Sequence, residues 1–252
     1  LVAEKKQAYL EISQQMSQLE NQFANNVLDA TDNWHKNVVN EQEVAGIPEL
    51  ALETAKQIAQ NKEKSGWVFT LDFPSYYAVI SYADNRQLRE EMYTAYSTRA
   101  SDQGPNAGKW DNSQVMHDIL VCRQRLAKLL DFTHYAELSL VTKMADSPQQ
   151  VLDFLNDLTE RSQAIAKQQF TELQTFANQQ GFVGDLQAWD IAYYSEKMQK
   201  TLYDIDQEQL RPYFPESKVI EGLFALVKQL YSINIEEITD FEKWHQDVRL
   251  FT

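Results

Sequence analysis

A chain of 252 residues, 43% hydrophobic and 12% aromatic, carries enough apolar matter to bury one sizeable core or two modest ones. Its formal net charge of −14 argues against nucleic acid and anionic membrane as partners, because both are held by basic patches that release counterions. Seven glycines and six prolines are few for a sheet-rich fold with many turns, so the expected class is all-α: mainly helical, with long helices and at most one or two short strands.

Leu1 stands where an initiator methionine is expected, and helical spacing is already under way at Tyr9, Ile12, Met16, Leu19, Phe23 and Val27. The chain therefore reads as cut: either its natural start is lost by processing or it begins inside a larger protein. No basic-then-apolar leader opens it, and no apolar run approaches the roughly 20 residues of a membrane span. Ile47 and Pro48 open a second helix that runs through Leu52, Ala55 and Ile58 until the polar stretch 61–66 stops it. Residues 67–71, WVFTL, are rich in β-branched and aromatic side chains and predict a short strand. Pro74 biases Phe73 away from helix, so the next helix is expected from Ser75 or Tyr76. Asp84 or Asn85 caps a helix over 86–100, and the loop 101–109 combines Gly-Pro, Asn and Gly in the strongest turn signal of the chain.

Helices follow over 112–130 and 135–141. Ser147, Pro148 and Gln150 then form a cap, a first helical position and a capping-box partner. Val151, Leu155, Leu158, Ile165, Phe170, Leu173 and Ala177 continue that helix to Gly181 as a rod of about 45 Å. Further helices follow Trp189 and Pro215, and the tail 233–251 mixes β-branched residues with charges in the manner of a strand edge. The loop at 101–109 divides the chain into a helical segment 1–100, with its short strand near 67–71, and a helical wall segment 110–252.

Candidate chemistry is sparse. None of His35, His117, His134 and His245 opens an H-E-x-x-H, the spacing that sets two imidazoles and a general base on one zinc ion. Glu242 and His245 have a Glu-x-x-His spacing, but a di-iron bundle needs two such motifs and two more carboxylates. Asp131, His134 and Glu137 have helical spacing, for which surface pairing is the simpler reading. Cys122, alone and inside a helical run, cannot form an internal disulfide and reads as a small core residue in a reducing compartment, which points to the cytoplasm. No serine occupies a G-x-S-x-G elbow, and no glycine-rich phosphate or dinucleotide signature is present.

Three motifs carry a resemblance: WVFTLDFPSYYAV at 67–79, WDIAYYSEKM at 189–198, and LRPYFP at 210–215 with VIEGLF at 219–224. In that order, with helices between them, they resemble the thimet oligopeptidase and neurolysin family of zinc metallopeptidases over most of the chain. The resemblance implies a two-lobed, mainly helical enzyme with a deep channel, short unfolded peptides as substrates and zinc in the full-length parent. It also implies that the H-E-x-x-H helix, the further glutamate ligand and the groups that polarise the scissile carbonyl lie beyond this segment. No catalytic or metal residue is therefore assigned here, and the fragment alone is expected to be inactive and to need no cofactor. Tyr76, Tyr77, Tyr193 and Tyr194 are the candidates for lining the substrate channel, offering apolar faces and hydroxyl donors. Against that, paired tyrosines at a helix start ordinarily send one ring into the core and one to the surface. The alternative function is a stand-alone helical interaction module whose Leu, Phe and Tyr faces await a partner. On the peptidase reading, self-association is expected through the apolar face that the missing catalytic region leaves exposed.

Overall fold

The computed structural model describes residues 3–204 and 210–252; Leu1, where the sequence suggests a cut, lies outside the described residues. Among the described residues the fold is mainly helical, with two short antiparallel strand pairs. Two compact units divide at Met198 and Gln199, a point within one helix.

In the first unit α1 (Ala3–Asp32) lies along α5 (Ser113–Leu129), and Ile12 packs with Cys122 and Leu126, flanked by Met16, Leu19 and Tyr135. Asn112, buried at the start of α5, does not cap its own helix. It accepts the Asn26 amide at 2.8 Å and donates to the Phe23 carbonyl at 3.1 Å, pinning α5 to α1.

The main core gathers Trp34, Val38, Val44, Ile47, Ala55, Phe69, Leu71, Val79, Leu88 and Met92. They come from α2 (Glu49–Asn61), α3 (Phe73–Tyr82), α4 (Arg86–Ser97), a hairpin of β1 (His35–Val38) and β2 (Trp67–Thr70), and the flanking segments that carry Trp34, Val44, Ile47 and Leu71. Strand β2 is where the sequence places it. Its partner β1 has no such signal: HKNV is short and polar, and becomes a strand because it pairs His35 with Thr70 and Val38 with Trp67. Helix α3 starts at Phe73, earlier than Ser75, because Pro74 falls in the first turn, where its missing N–H leaves no gap in the ladder. Asn85 caps α4 by accepting the Leu88 N–H at 3.1 Å.

After α6 (Tyr135–Leu140) comes the rod α7 (Pro148–Gln179), 32 residues and about 48 Å long at 1.5 Å per residue. Ser147 accepts the Gln150 N–H at 3.2 Å, but the Gln150 side chain reaches past it to the Asp146 N–H at 2.7 Å, a capping box displaced by one residue. Only the carboxyl end of the rod is sealed, where Leu173, Phe176 and Ala177 meet Leu186, Tyr193 and Tyr194 of the loop and of α8 (Ala188–Tyr203).

The second unit carries a 3-10 turn (Arg211–Tyr213), α9 (Glu216–Tyr231) and the pair β3 (Glu237–Ile238) and β4 (Leu250–Phe251). Phe224 of α9 meets Phe251 edge-on at 5.1 Å, and Arg249 clamps Glu237 with two bonds of 2.9 and 2.6 Å.

Candidate functional site

Asp190 organises the surface that carries the tyrosines. It sits in the first turn of α8, where a carboxylate complements the helix dipole, and it is fully buried. Such a charge is tolerable only if every lone pair is used. The Gln187 N–H donates to Oδ2 at 3.0 Å, Arg86 Nη2 to the same oxygen at 2.9 Å, and Arg89 Nη2 to Oδ1 at 2.9 Å. Arg89, 1% exposed, spends its other donors on the carbonyls of Ala83 at 2.7 Å and Trp189 at 3.2 Å. The guanidinium of Arg86 lies over the rings of Phe182 and Trp189, 5.6 and 5.5 Å from their centroids. Burial alone would push the Asp190 carboxyl up, but hydrogen bonds from Arg86, Gln187 and Arg89 outweigh it and hold the group below the usual carboxylate range. The hydrogen bond to Asp190 in turn holds the Arg86 guanidinium above its ordinary value. Two guanidinium groups on one carboxylate thus form a clasp that joins α4 to α8.

A second layer continues from it. The Tyr193 hydroxyl donates to Asp84 Oδ1 at 2.6 Å, and Lys197 Nζ approaches the same oxygen at 3.1 Å. Two cations approach the Tyr193 ring, Arg89 at 3.9 Å and Lys197 at 4.5 Å from its centroid. Burial would raise the Asp84 carboxyl, yet Tyr193 and Lys197 hold it low. The Tyr193 phenol is pushed up, first by burial and then by its bond to Asp84.

The structure thus treats the four tyrosines differently. Tyr193 and Tyr194 are both buried, packed edge-to-face at 5.0 Å, with Phe182 5.5 Å from Tyr194. Tyr76 is half-buried and stacked on Tyr96 at 3.9 Å, and burial raises its phenol. Tyr77 is 42% exposed and lies beside Phe73 and Tyr82. Tyr82 donates to Glu196 at 3.3 Å, so the end of α3 and the middle of α8 are brought together even though the tyrosine pairs are not. Arg86, Arg89 and Asp190 were not among the sequence candidates. A signal existed: Arg89 sits between Leu88 and Met92 on the apolar side of its helix, an arginine needing a buried anion.

The possible metal donors do not converge. His35 contacts Lys64, and burial together with the Lys64 charge holds its imidazole below the usual value. His134 lies 3.6 Å from Glu137, while Asp131 pairs with Lys5 at 3.2 Å instead. The segment around Glu242 is not helical, so the Glu-x-x-His spacing sets up no shared face; His245 meets Asp247 at 3.5 Å. Cys122 is buried in the α1–α5 core. Among the described residues no three His, Cys, Asp or Glu side chains are grouped as a metal site requires, so the donor set here does not fit zinc. Among them, too, no helix is long and apolar enough to cross a membrane.

A family model described as Peptidase family M3 matches residues 79–252. Over 251 residues, all of this chain, the sequence is 56% identical to "Oligopeptidase A" of Salmonella typhimurium, 57% identical to that of Escherichia coli and 54% identical to that of Haemophilus influenzae. The chain spans 37% of the length of each of these relatives.

Proposed function

The chain belongs to peptidase family M3, and from that premise we propose that it is a helical, non-catalytic part of a zinc metalloendopeptidase that hydrolyses short unfolded peptides. The observation that carries this reading is the 54–57% identity to oligopeptidase A across the whole chain, combined with its 37% share of those proteins' length. In this reading the metal and the groups that cleave the amide lie in the length the chain does not span. No step of hydrolysis is therefore assigned to a residue of this chain.

Its own role, in this reading, is to build part of the wall of a channel that admits extended peptides and excludes folded proteins. Segment 1–100 and segment 110–252 then belong to one larger fold, and the Asp190 clasp keeps the wall rigid by fixing α4 to α8. Of the four tyrosines, exposed Tyr77 is the one best placed to touch peptide, with Tyr76 behind it; Tyr193 and Tyr194 support the wall from within. The lone buried thiol of Cys122 suits a reducing compartment, and the cytoplasm is the proposed location.

A second reading, a stand-alone helical interaction module, is favoured by the rod α7, whose Phe154, Leu155, Leu158 and Ile165 stay exposed. Expressing the full product of the gene beside the 252-residue chain separates the two. A longer product that cleaves peptides in a zinc-dependent way supports the peptidase reading; a gene product that ends with this chain and binds a protein partner supports the module.

A further inference from the structure

Helix α3 presents an aromatic strip that no part of the clasp uses. Phe73 and Tyr77, one turn apart, are 62% and 42% exposed, with ring centroids 5.8 Å apart. Two adjacent bare rings on one helix are an uncommon use of surface unless something apolar settles on them. Tyr77 meets Tyr82 edge-on at 6.2 Å, and the Tyr82 hydroxyl donates to Glu196 Oε1 at 3.3 Å. The strip therefore runs from apolar rings to a carboxylate whose position is set by a hydrogen bond. Among the described residues that carboxylate forms no ion pair, whereas neighbouring Asp84 is matched by Lys197.

From this geometry we propose that Phe73, Tyr77 and Glu196 form a binding subsite for an extended peptide that carries a large apolar side chain close to a positive charge. The proposal rests on the peptidase reading and deepens it by naming the substrate class. The rings supply a flat apolar contact tolerant of Phe, Leu or Trp, and Glu196 supplies the complementary charge. Acidic peptides are disfavoured by the same carboxylate and by the chain's net charge of −14. The cation is either the peptide's α-ammonium group or a lysine side chain, which present the same chemistry to Glu196.

The test uses the full gene product and four fluorogenic pentapeptides: Phe beside a free amino terminus, the same peptide acetylated, the acetylated peptide with Lys next to Phe, and the free peptide with Phe replaced by Ala. Tyr77→Ala is expected to raise KM for the Phe peptides by about three- to tenfold with kcat unchanged, and to leave the Ala peptide unmoved. Tyr77→Phe restores the wild-type value. Glu196→Gln is expected to raise KM for the charged peptides and not for the acetylated peptide lacking Lys. Dependence in the free peptide identifies the α-ammonium, dependence in the Lys peptide identifies the side chain, and either supports the subsite. Unchanged KM in an active enzyme overturns the subsite alone. So does a lowered melting temperature with equal loss on every peptide, because the ring then packs against another segment or a second copy. A wild-type gene product without peptidase activity overturns the functional reading, and the subsite with it.

Discussion

Arg89 Nη2 and Asp190 Oδ1 lie 2.9 Å apart with both side chains shut away from water, one on α4 and the other on α8, 101 residues apart in sequence. A pair this deep is costly to desolvate and costlier still to break, since either partner left alone is an uncompensated buried charge. Asp190→Asn keeps the shape but strands the buried Arg89 guanidinium, and is expected to lower unfolding stability by about 3–5 kcal/mol in urea denaturation. Lys5→Ala, which removes the exposed pair with Asp131, is expected to cost less than about 1 kcal/mol.

Acid sensitivity follows from the same carboxylates. Asp190 and Asp84 are both held below the ordinary value of 3.8, so the unfolded chain takes up protons at a higher pH than the folded one. Their contribution is complete above the unfolded value and is lost as pH falls through it and then through the lower folded values. Denaturation midpoints measured from pH 7 down to pH 2 are expected to drop most steeply below about pH 4. In Asp190→Asn and Asp84→Asn that part of the slope is expected to be shallower.

Gly66 sets the approach to the strand pair. Its φ of +80° is a left-handed conformation, and a Cβ there would collide with the Val38 carbonyl oxygen at the far end of β1. Gly66→Ala is therefore expected to cost about 1–3 kcal/mol by thermal melting. The same change at Gly181, where φ is +89° but no atom lies within 4 Å of the added carbon, carries the backbone strain alone and costs less.

The rod α7 bares Leu152, Phe154, Leu155, Leu158, Ile165 and Phe170, while only Leu173, Phe176 and Ala177 are buried. The isolated chain is expected to self-associate with rising concentration in sedimentation experiments. Phe154→Gln with Leu158→Gln is expected to shift the population toward monomer and to change stability by less than about 0.5 kcal/mol, because neither side chain fills a core.

The helices were legible because their signals are local: Ser147 and Pro148 announce α7, and Asn85 announces α4. The strand at Trp67 was legible for the same reason, through a run of β-branched and aromatic residues. Strand β1 was not, since HKNV has no pattern of its own and exists by pairing across 29 or more residues. The clasp was hidden by distance in the same way. Trp189 and Asp190 stand out in the motif that carries the family resemblance, but nothing in that motif says that the partners of Asp190 are Arg86 and Arg89. For the tyrosines, spacing gives the helix and not the depth. The pair at 76–77 splits between half-buried and exposed, while the pair at 193–194 is buried whole because the end of α7 closes over it.

On the proposed reading this polypeptide is wall and not reagent. The most direct test is hydrolysis of a fluorogenic peptide by the purified 252-residue chain with stoichiometric zinc, run beside the full gene product. No turnover and no tight zinc binding are expected of the chain, and zinc-dependent turnover is expected of the longer product. Zinc-dependent cleavage by the chain alone would contradict that reading.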